Sequence, residues 1–180
     1  MKLATQSVIF LLCWGLLQSA IGAQADRTDA QLKKSSNGFT VVETDKYIIE
    51  VPDGWAVGKE TPWGARDITP KTGPGQLGAM TAGPTKAGWD QLYKTSLFFI
   101  KQEEPGTETP FRTGKTKHGY DSMSFDVKNK DGFFNRRYTL IRNTAGNVLA
   151  LSIRIPSPEA EKTFGEMFKH MVDTAKLKPL

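Results

Sequence analysis

The side chains best suited to chemistry lie mostly in the second half of the chain. His118 is followed by Asp121 and Asp126, and serines are plentiful. A histidine with a carboxylate and a serine hydroxyl could support nucleophilic hydrolysis. The Gly-x-Ser-x-Gly elbow that would present such a serine is absent. Gly114-Lys115-Thr116 looks like the end of a phosphate-binding loop. That loop needs a glycine five residues before Gly114, where this chain has Thr109. The stretch TGPGQLG (72–78) lacks dinucleotide-binding spacing and a following helix. His170 falls four residues after Glu166, the spacing of an exposed helical pair, and no third metal ligand stands near it in sequence. The sequence therefore points to no catalytic residue, no metal site and no bound cofactor.

A second group of residues suits recognition better than reaction. Asn129-Lys-Asp-Gly132 and Asn143-Thr-Ala-Gly146 read as turns joining three strands. If the first turn pairs Lys128 with Phe133 and the second pairs Arg142 with Asn147, one sheet face carries two polar rows. One is Asp126–Asn135–Arg154 and the other Ser124–Arg137–Ser152. A solvated face with cross-strand ion pairs explains such rows simply. The sharper alternative is a recessed anion or partner site beside the loop that holds Trp63. Arg137 and Arg154 would be its donors, because a guanidinium grips an oxyanion with two parallel bonds.

Hydrophobic periodicity supplies the elements that position these residues. Phe39–Glu43 and Lys46–Val51 are β-rich runs joined by Thr44-Asp45. Pro52 ends the second run, Asp53-Gly54 turns, and Trp55–Val57 returns. Residues 60–78 read as a long Gly/Pro-rich loop, with a short strand over 79–82. Residues 85–102 have helical spacing through Trp89, Leu92, Tyr93, Leu97 and Ile100. The meander strands come next. Ser157 and Pro158 then open a last helix with the stripe Ala160, Phe164, Met167, Phe168, Met171 and Val172. Trp55, Trp89, Phe125, Leu151, Phe164 and Phe168 are the expected core. The order of hairpin, loop, helix, antiparallel meander and helix predicts an α+β domain with helices packed on an antiparallel sheet.

The first 25 residues read as a secretory signal peptide: Lys2, an apolar run from Val8 to Leu17, and the small-x-small site Ala23-Gln24-Ala25. That run is shorter than the roughly 20 residues that span a bilayer. Residues 26–38 are polar and read as a flexible leader, leaving 39–180 as one domain. The single cysteine, Cys13, lies inside the signal, so cleavage leaves no disulfide and no thiolate chemistry. Cleavage also lowers the net charge from +5 to +4, because Lys2 is lost with no acidic residue. The charges are mixed along the chain, which excludes nucleic-acid binding on composition. Arg112, Lys115 and Lys117 make one basic strand that could hold an anionic surface.

The stretch YIIEVPDGW (47–55), with Tyr47, Pro52 and Trp55 at the end of a hairpin, resembles the start of the PsbP-like family, including its exported, DcrB-like bacterial members. The similarity of element order runs from Phe39 to Leu177. It implies an α/β/α sandwich, a secreted or periplasmic location and no shared catalytic residue, since members tend to be accessory or binding proteins. No functional residue transfers by position. The resulting expectation is a monomeric, exported, non-enzymatic binding protein for another protein or a small anionic ligand. A small hydrolase using His118, Asp121 or Asp126, or a protein held to anionic polymer or lipid, are the alternatives.

Overall fold

The computed structural model describes residues 30–179 apart from Ser36, Trp63, Glu104 and Pro105. The signal-peptide expectation and Trp63 therefore lie outside the described residues. Two antiparallel sheets form the frame. The strands are β1 (Gln31–Lys34), β2 (Phe39–Glu43), β3 (Tyr47–Pro52), β4 (Trp55–Val57), β5 (Ala65–Pro70), β6 (Gln76–Ala82), β7 (Thr107–Glu108), β8 (Arg112–Lys115), β9 (Asp121–Lys128), β10 (Phe134–Arg142), β11 (Val148–Arg154) and β12 (Lys176–Leu177). Helix α1 (Trp89–Glu103) separates β6 from β7, and α2 (Glu161–Thr174), entered through a 3-10 turn at Pro158–Ala160, precedes β12. The larger sheet runs β4-β5-β6-β11-β10-β9-β7, with β8 also paired to β9. The smaller runs β1-β2-β3-β12.

Both faces of the larger sheet are covered. On one face, Leu77, Ile141, Leu149, Leu151 and Ile153 pack with Val42, Ile49 and Val51 of the small sheet and with Phe168 and Met171 of α2. On the other, Met123, Phe125, Val127, Tyr138, Leu140 and Ala150 pack against Leu92, Leu97 and Ile100 of α1. The α+β class expected from the sequence is the observed one. One outer layer is shared between α2 and the four-stranded sheet. Among the expected core residues, Phe125, Leu151 and Phe168 are buried. Trp55, Trp89 and Phe164 are half-buried at the rims, where Trp89 stacks on the Arg142 guanidinium at 4.2 Å.

Three expectations need correction. Gln31–Lys34, read as part of a flexible leader, is an edge strand paired residue for residue with β2. All four of its side chains are exposed, so it forms through backbone bonds and the Lys33–Glu43 ion pair (2.8 Å), not through an apolar pattern. Residues 65–70 and 76–78, read as loop, belong to β5 and β6. Alternation across the glycines and prolines hid both. His170 does not pair with Glu166. It reaches Glu50 at 2.7 Å and stacks on Phe39, with ring centroids 3.7 Å apart.

The largest correction concerns register. The hairpin turns close one residue later than assumed, because Gly132 and Gly146 adopt left-handed φ of 84° and 87° and add a residue to each turn. Asn129 N–H donates to Phe133 O and Asn143 N–H to Asn147 O. The asparagine side chains cap the same turns, accepting from Phe133 N–H and Asn147 N–H. The motif recurs at Thr61–Ala65 and Thr116–Tyr120. There Gly64 and Gly119 are left-handed, the same backbone bonds form, and the threonine Oγ1 accepts from Ala65 and Tyr120 N–H. A polar residue followed three positions later by glycine is thus a repeated turn signature of this chain.

Candidate functional site: a two-arginine pocket on the sheet face

The shifted register divides the expected polar strip. Arg137 stands opposite Asp126 on β9 and opposite Ile153 on β11. It therefore shares a face with Asp126 and Ser124 but not with Ser152 or Arg154. Asn135 is the extra residue of a bulge in β10, between Phe134 opposite Lys128 and Arg136 opposite Val127. Its carbonyl accepts from Ile155 N–H at 2.7 Å, and the residue is buried. Asp126, Asn135 and Arg154 consequently do not lie in one row.

On the α2 side, Arg137 is an internal tie. Its Nη2 donates to Glu161 Oε1 at 2.6 Å, and Asp126 lies 3.9 Å from its Nε. Arg112 also reaches Asp126, at 3.2 Å. The guanidinium runs so close to Gly165 of α2 that a Cβ there would lie 2.7 Å from Nη1.

The opposite face holds a different group, which the sequence reading missed. Arg154 pairs directly with Arg136 across β11 and β10. Its other neighbour is Gln76 on β6. The next row on that face runs Asp67, Gly78, Ser152 and Tyr138. Helix α1 covers the strands farther along, from β9 to β11, through contacts with Phe125, Leu140 and Ala150. A cavity of about 40 Å³ beside it is lined by Thr61, Asp67, Gln76, Arg136, Tyr138, Ser152 and Arg154, among others. One water needs roughly 10–15 Å³ of such space, so the cavity takes a group larger than water.

The pocket mixes polar groups with apolar ones, Ala65, Ala79, Met80 and Ile153 among them. Arg136 is 4% exposed, and its Nη1 lies 3.5 Å from the Tyr138 hydroxyl. Arg154 on the paired position is exposed. Asp67 accepts from Gln76 Nε2 at 2.8 Å. Asp67 keeps an exposed side, yet partial desolvation raises its pKa above the ordinary carboxylate value, and the Gln76 bond opposes the rise only in part. The Thr61–Ala65 turn forms one rim. Thr61 lines the cavity, so the loop of the sequence expectation does border the site, though Trp63 itself is outside the described residues.

The other candidates are dispersed. His118 sits on an exposed turn, 6.4 Å from the Tyr120 ring by centroids. Asp121 is exposed and bound to Lys115 at 2.6 Å. Lys117 pairs with Asp173 at 3.0 Å. The basic strand therefore has a carboxylate for each of Arg112, Lys115 and Lys117. Arg136 carried a signal in the sequence: it alternates with Asn135 and Arg137 and so falls on the face opposite the expected polar rows. A charge at a buried strand position signals either an internal partner or a site.

No family model and no curated protein matches the sequence. Solved structures do. LpqN of Mycobacterium tuberculosis, described as involved in cell envelope biogenesis, is 12% identical, with 86% of this chain and 93% of that one aligned at a TM-score of 0.50. The cyanobacterial PsbP protein CyanoP from Synechocystis sp. PCC 6803 is 11% identical, with 89% and 99% aligned at a TM-score of 0.48. The architecture that holds the pocket is a PsbP-like α+β fold.

Proposed function

We propose that this chain is an exported, non-enzymatic accessory protein that binds an anionic group in the two-arginine pocket. The observation that carries the reading is the direct pairing of Arg136 with Arg154 on a stretch of sheet face beside α1, over a cavity. One buried and one exposed guanidinium stand side by side there, and guanidinium groups recognise carboxylates and phosphates bidentately. Nothing in the pocket resembles a nucleophile oriented by a base, which favours binding over turnover. Among the described residues no helix is long and apolar enough to cross a membrane. The N-terminal signal pattern and the envelope role described for LpqN both support an extracytoplasmic site of action. Attachment to anionic surfaces through Arg112, Lys115 and Lys117, each of them paired with an aspartate, is the second reading.

The test has two readouts. N-terminal sequencing of the exported protein should begin at Gln24 or Asp26. Calorimetric titration of the purified chain with inorganic phosphate and with acetate should show saturable binding of at least one. Arg154→Ala should weaken it tenfold or more, the loss of about 1.4 kcal/mol, with the thermal midpoint within a few degrees. Absence of binding, or equal affinity in the variant, would remove the pocket from the proposal.

A further inference from the structure

We propose that Asn37 is a self-modification site, where the chain deamidates through a cyclic imide and so loosens its own edge strand β1. Asn37 and Gly38 lie in the turn from β1 to β2, and both are exposed. Ser35 N–H donates to Phe39 O across that turn at 2.8 Å. Gly38 is left-handed, with φ of 77°, and the space where its Cβ would stand is open. A glycine nitrogen is the backbone nitrogen that a preceding side chain reaches most easily, because no side chain shields it. The other four asparagines are followed by Lys130, Arg136, Thr144 and Val148. Asn135 and Asn147 are also buried, and the Oδ1 atoms of Asn129 and Asn143 accept backbone N–H bonds. The Asp53-Gly54 and Asp131-Gly132 steps have left-handed glycines too. Their side chains are carboxylates, poor targets for a nucleophile, and are tied to Thr40 at 2.7 Å and to Asn129 at 3.3 Å.

The step needs only water. The Gly38 nitrogen gives up its proton and attacks Asn37 Cγ; the Cγ–Nδ2 bond breaks, and Nδ2 leaves as ammonia. One water then opens the imide. Opening at Cγ gives aspartate, and opening at the backbone carbonyl of residue 37 gives isoaspartate, with no change of oxidation state. Isoaspartate carries the main chain through Cβ and Cγ, so the turn gains one backbone atom as well as a negative charge. Both changes fall where β1 is least secured. All four of its side chains are exposed, and the buried residue next to it is the small Ala30. The strand is held by backbone pairing from Gln31 opposite Glu43 to Lys34 opposite Thr40, and by the Lys33–Glu43 ion pair. A longer turn cannot keep that register. An edge strand with so little buried apolar contact opens locally at small cost, and its departure bares the edge of β2.

Ageing of the purified chain decides this. Samples held at pH 8 and at pH 6 are followed by intact mass and by peptide mapping with isoaspartyl-methyltransferase labelling. The expected result is a gain of one dalton confined to the peptide that holds Asn37, with isoaspartate in excess of aspartate. Conversion should be several-fold faster at pH 8, because the attacking nitrogen must lose its proton. Asn37→Gln, whose longer side chain must close a larger ring, should slow it at least tenfold. Hydrogen exchange then compares residues 31–34 in the aged chain, the fresh chain and Asn37→Asp, which brings the charge without the extra backbone atom. The aged chain should exchange there at least tenfold faster than the fresh one, with Asn37→Asp close to the fresh one. Conversion at Asn37 no faster than at the other asparagines overturns the site. Conversion that leaves exchange over residues 31–34 unchanged overturns the loosening of β1.

Discussion

At the scale of single residues, the carboxylates of this protein fall into two groups with opposite effects on stability. Glu43 accepts from Lys33 and Lys178, at 2.8 and 2.9 Å, and these cations hold its pKa at about 2. A carboxyl group with a depressed folded-state pKa contributes stability above its ordinary value near 4.5, and that contribution is lost as pH falls toward 2. Asp121, Asp173 and Glu108 are shifted in the same direction, by Lys115, by Lys169 and Lys117, and by Lys101 respectively. Asp67 is shifted the other way. Its charged form is penalised in the fold, so it subtracts from stability at neutral pH and ceases to do so in acid. Denaturant midpoints measured from pH 7 to pH 2 should therefore converge for wild type and Glu43→Gln as acid is added, with the variant the less stable at pH 7. Added salt should shrink the gap, because the Lys33–Glu43–Lys178 group lies near the surface. A gap that widens on acidification would contradict the assignment.

At the scale of elements, two glycines that look alike in sequence should respond oppositely to alanine. Gly75, before β6, has φ of 125°, and a Cβ there would lie 2.4 Å from the Phe164 ring on α2. The ring is wedged against Trp55 and the core, so Gly75→Ala should destabilise the fold by several degrees of midpoint. Gly165 is helical, and its Cβ would meet only the tip of Arg137. Gly165→Ala should be neutral or stabilising by up to about 1 kcal/mol, while displacing Arg137 from Glu161. Thermal melts of the two variants compare them directly, and equal losses would sink the distinction. The same scale shows what was legible in the sequence. Strongly periodic elements were: α1, α2, the β2–β3 hairpin and the strands β9 to β11. Register was not. Apolar alternation fixes the phase of a strand only in a sheet with one wet face. Here Val148 and Ala150 are buried on the other side as well, so alternation no longer fixes the phase. Turn chemistry does: in the turns at Asn129 and Asn143, the polar side-chain cap and the left-handed glycine three residues later specify the extra residue that the pairing assumption omitted. The bulge at Asn135 has no comparable signal in single-sequence pattern. Arg154 has Arg136 and Gln76 as its strand neighbours, in place of the Asn135 and Asp126 that the assumed turns implied.

At the scale of the whole molecule, the small sheet joins the two ends of the described chain. Its order, β1-β2-β3-β12, places residues 31–34 and 176–177 in one four-stranded unit. Lys176 and Leu177 pair with Ile48 and Tyr47. Just beyond, Lys178 binds Glu43 Oε1 at 2.9 Å and the Thr44 carbonyl at 2.6 Å. Deleting residues 175–180 removes buried Ala175 and Leu177 and unpairs an edge of β3 whose Tyr47 hydroxyl receives the buried Arg66 Nε. The truncated chain should lose cooperative melting, read by near-ultraviolet circular dichroism; a sharp transition near the wild-type temperature would show that the C-terminal strand is dispensable. The arrangement also imposes an order of events in time. A polypeptide that emerges amino end first, from a ribosome or through a membrane channel, cannot complete this sheet until its last few residues are free. Until then the core strands have only part of their cover, and the partial structures are weak. The fold thereby delays the closure of its small sheet until β12 has followed the rest of the domain.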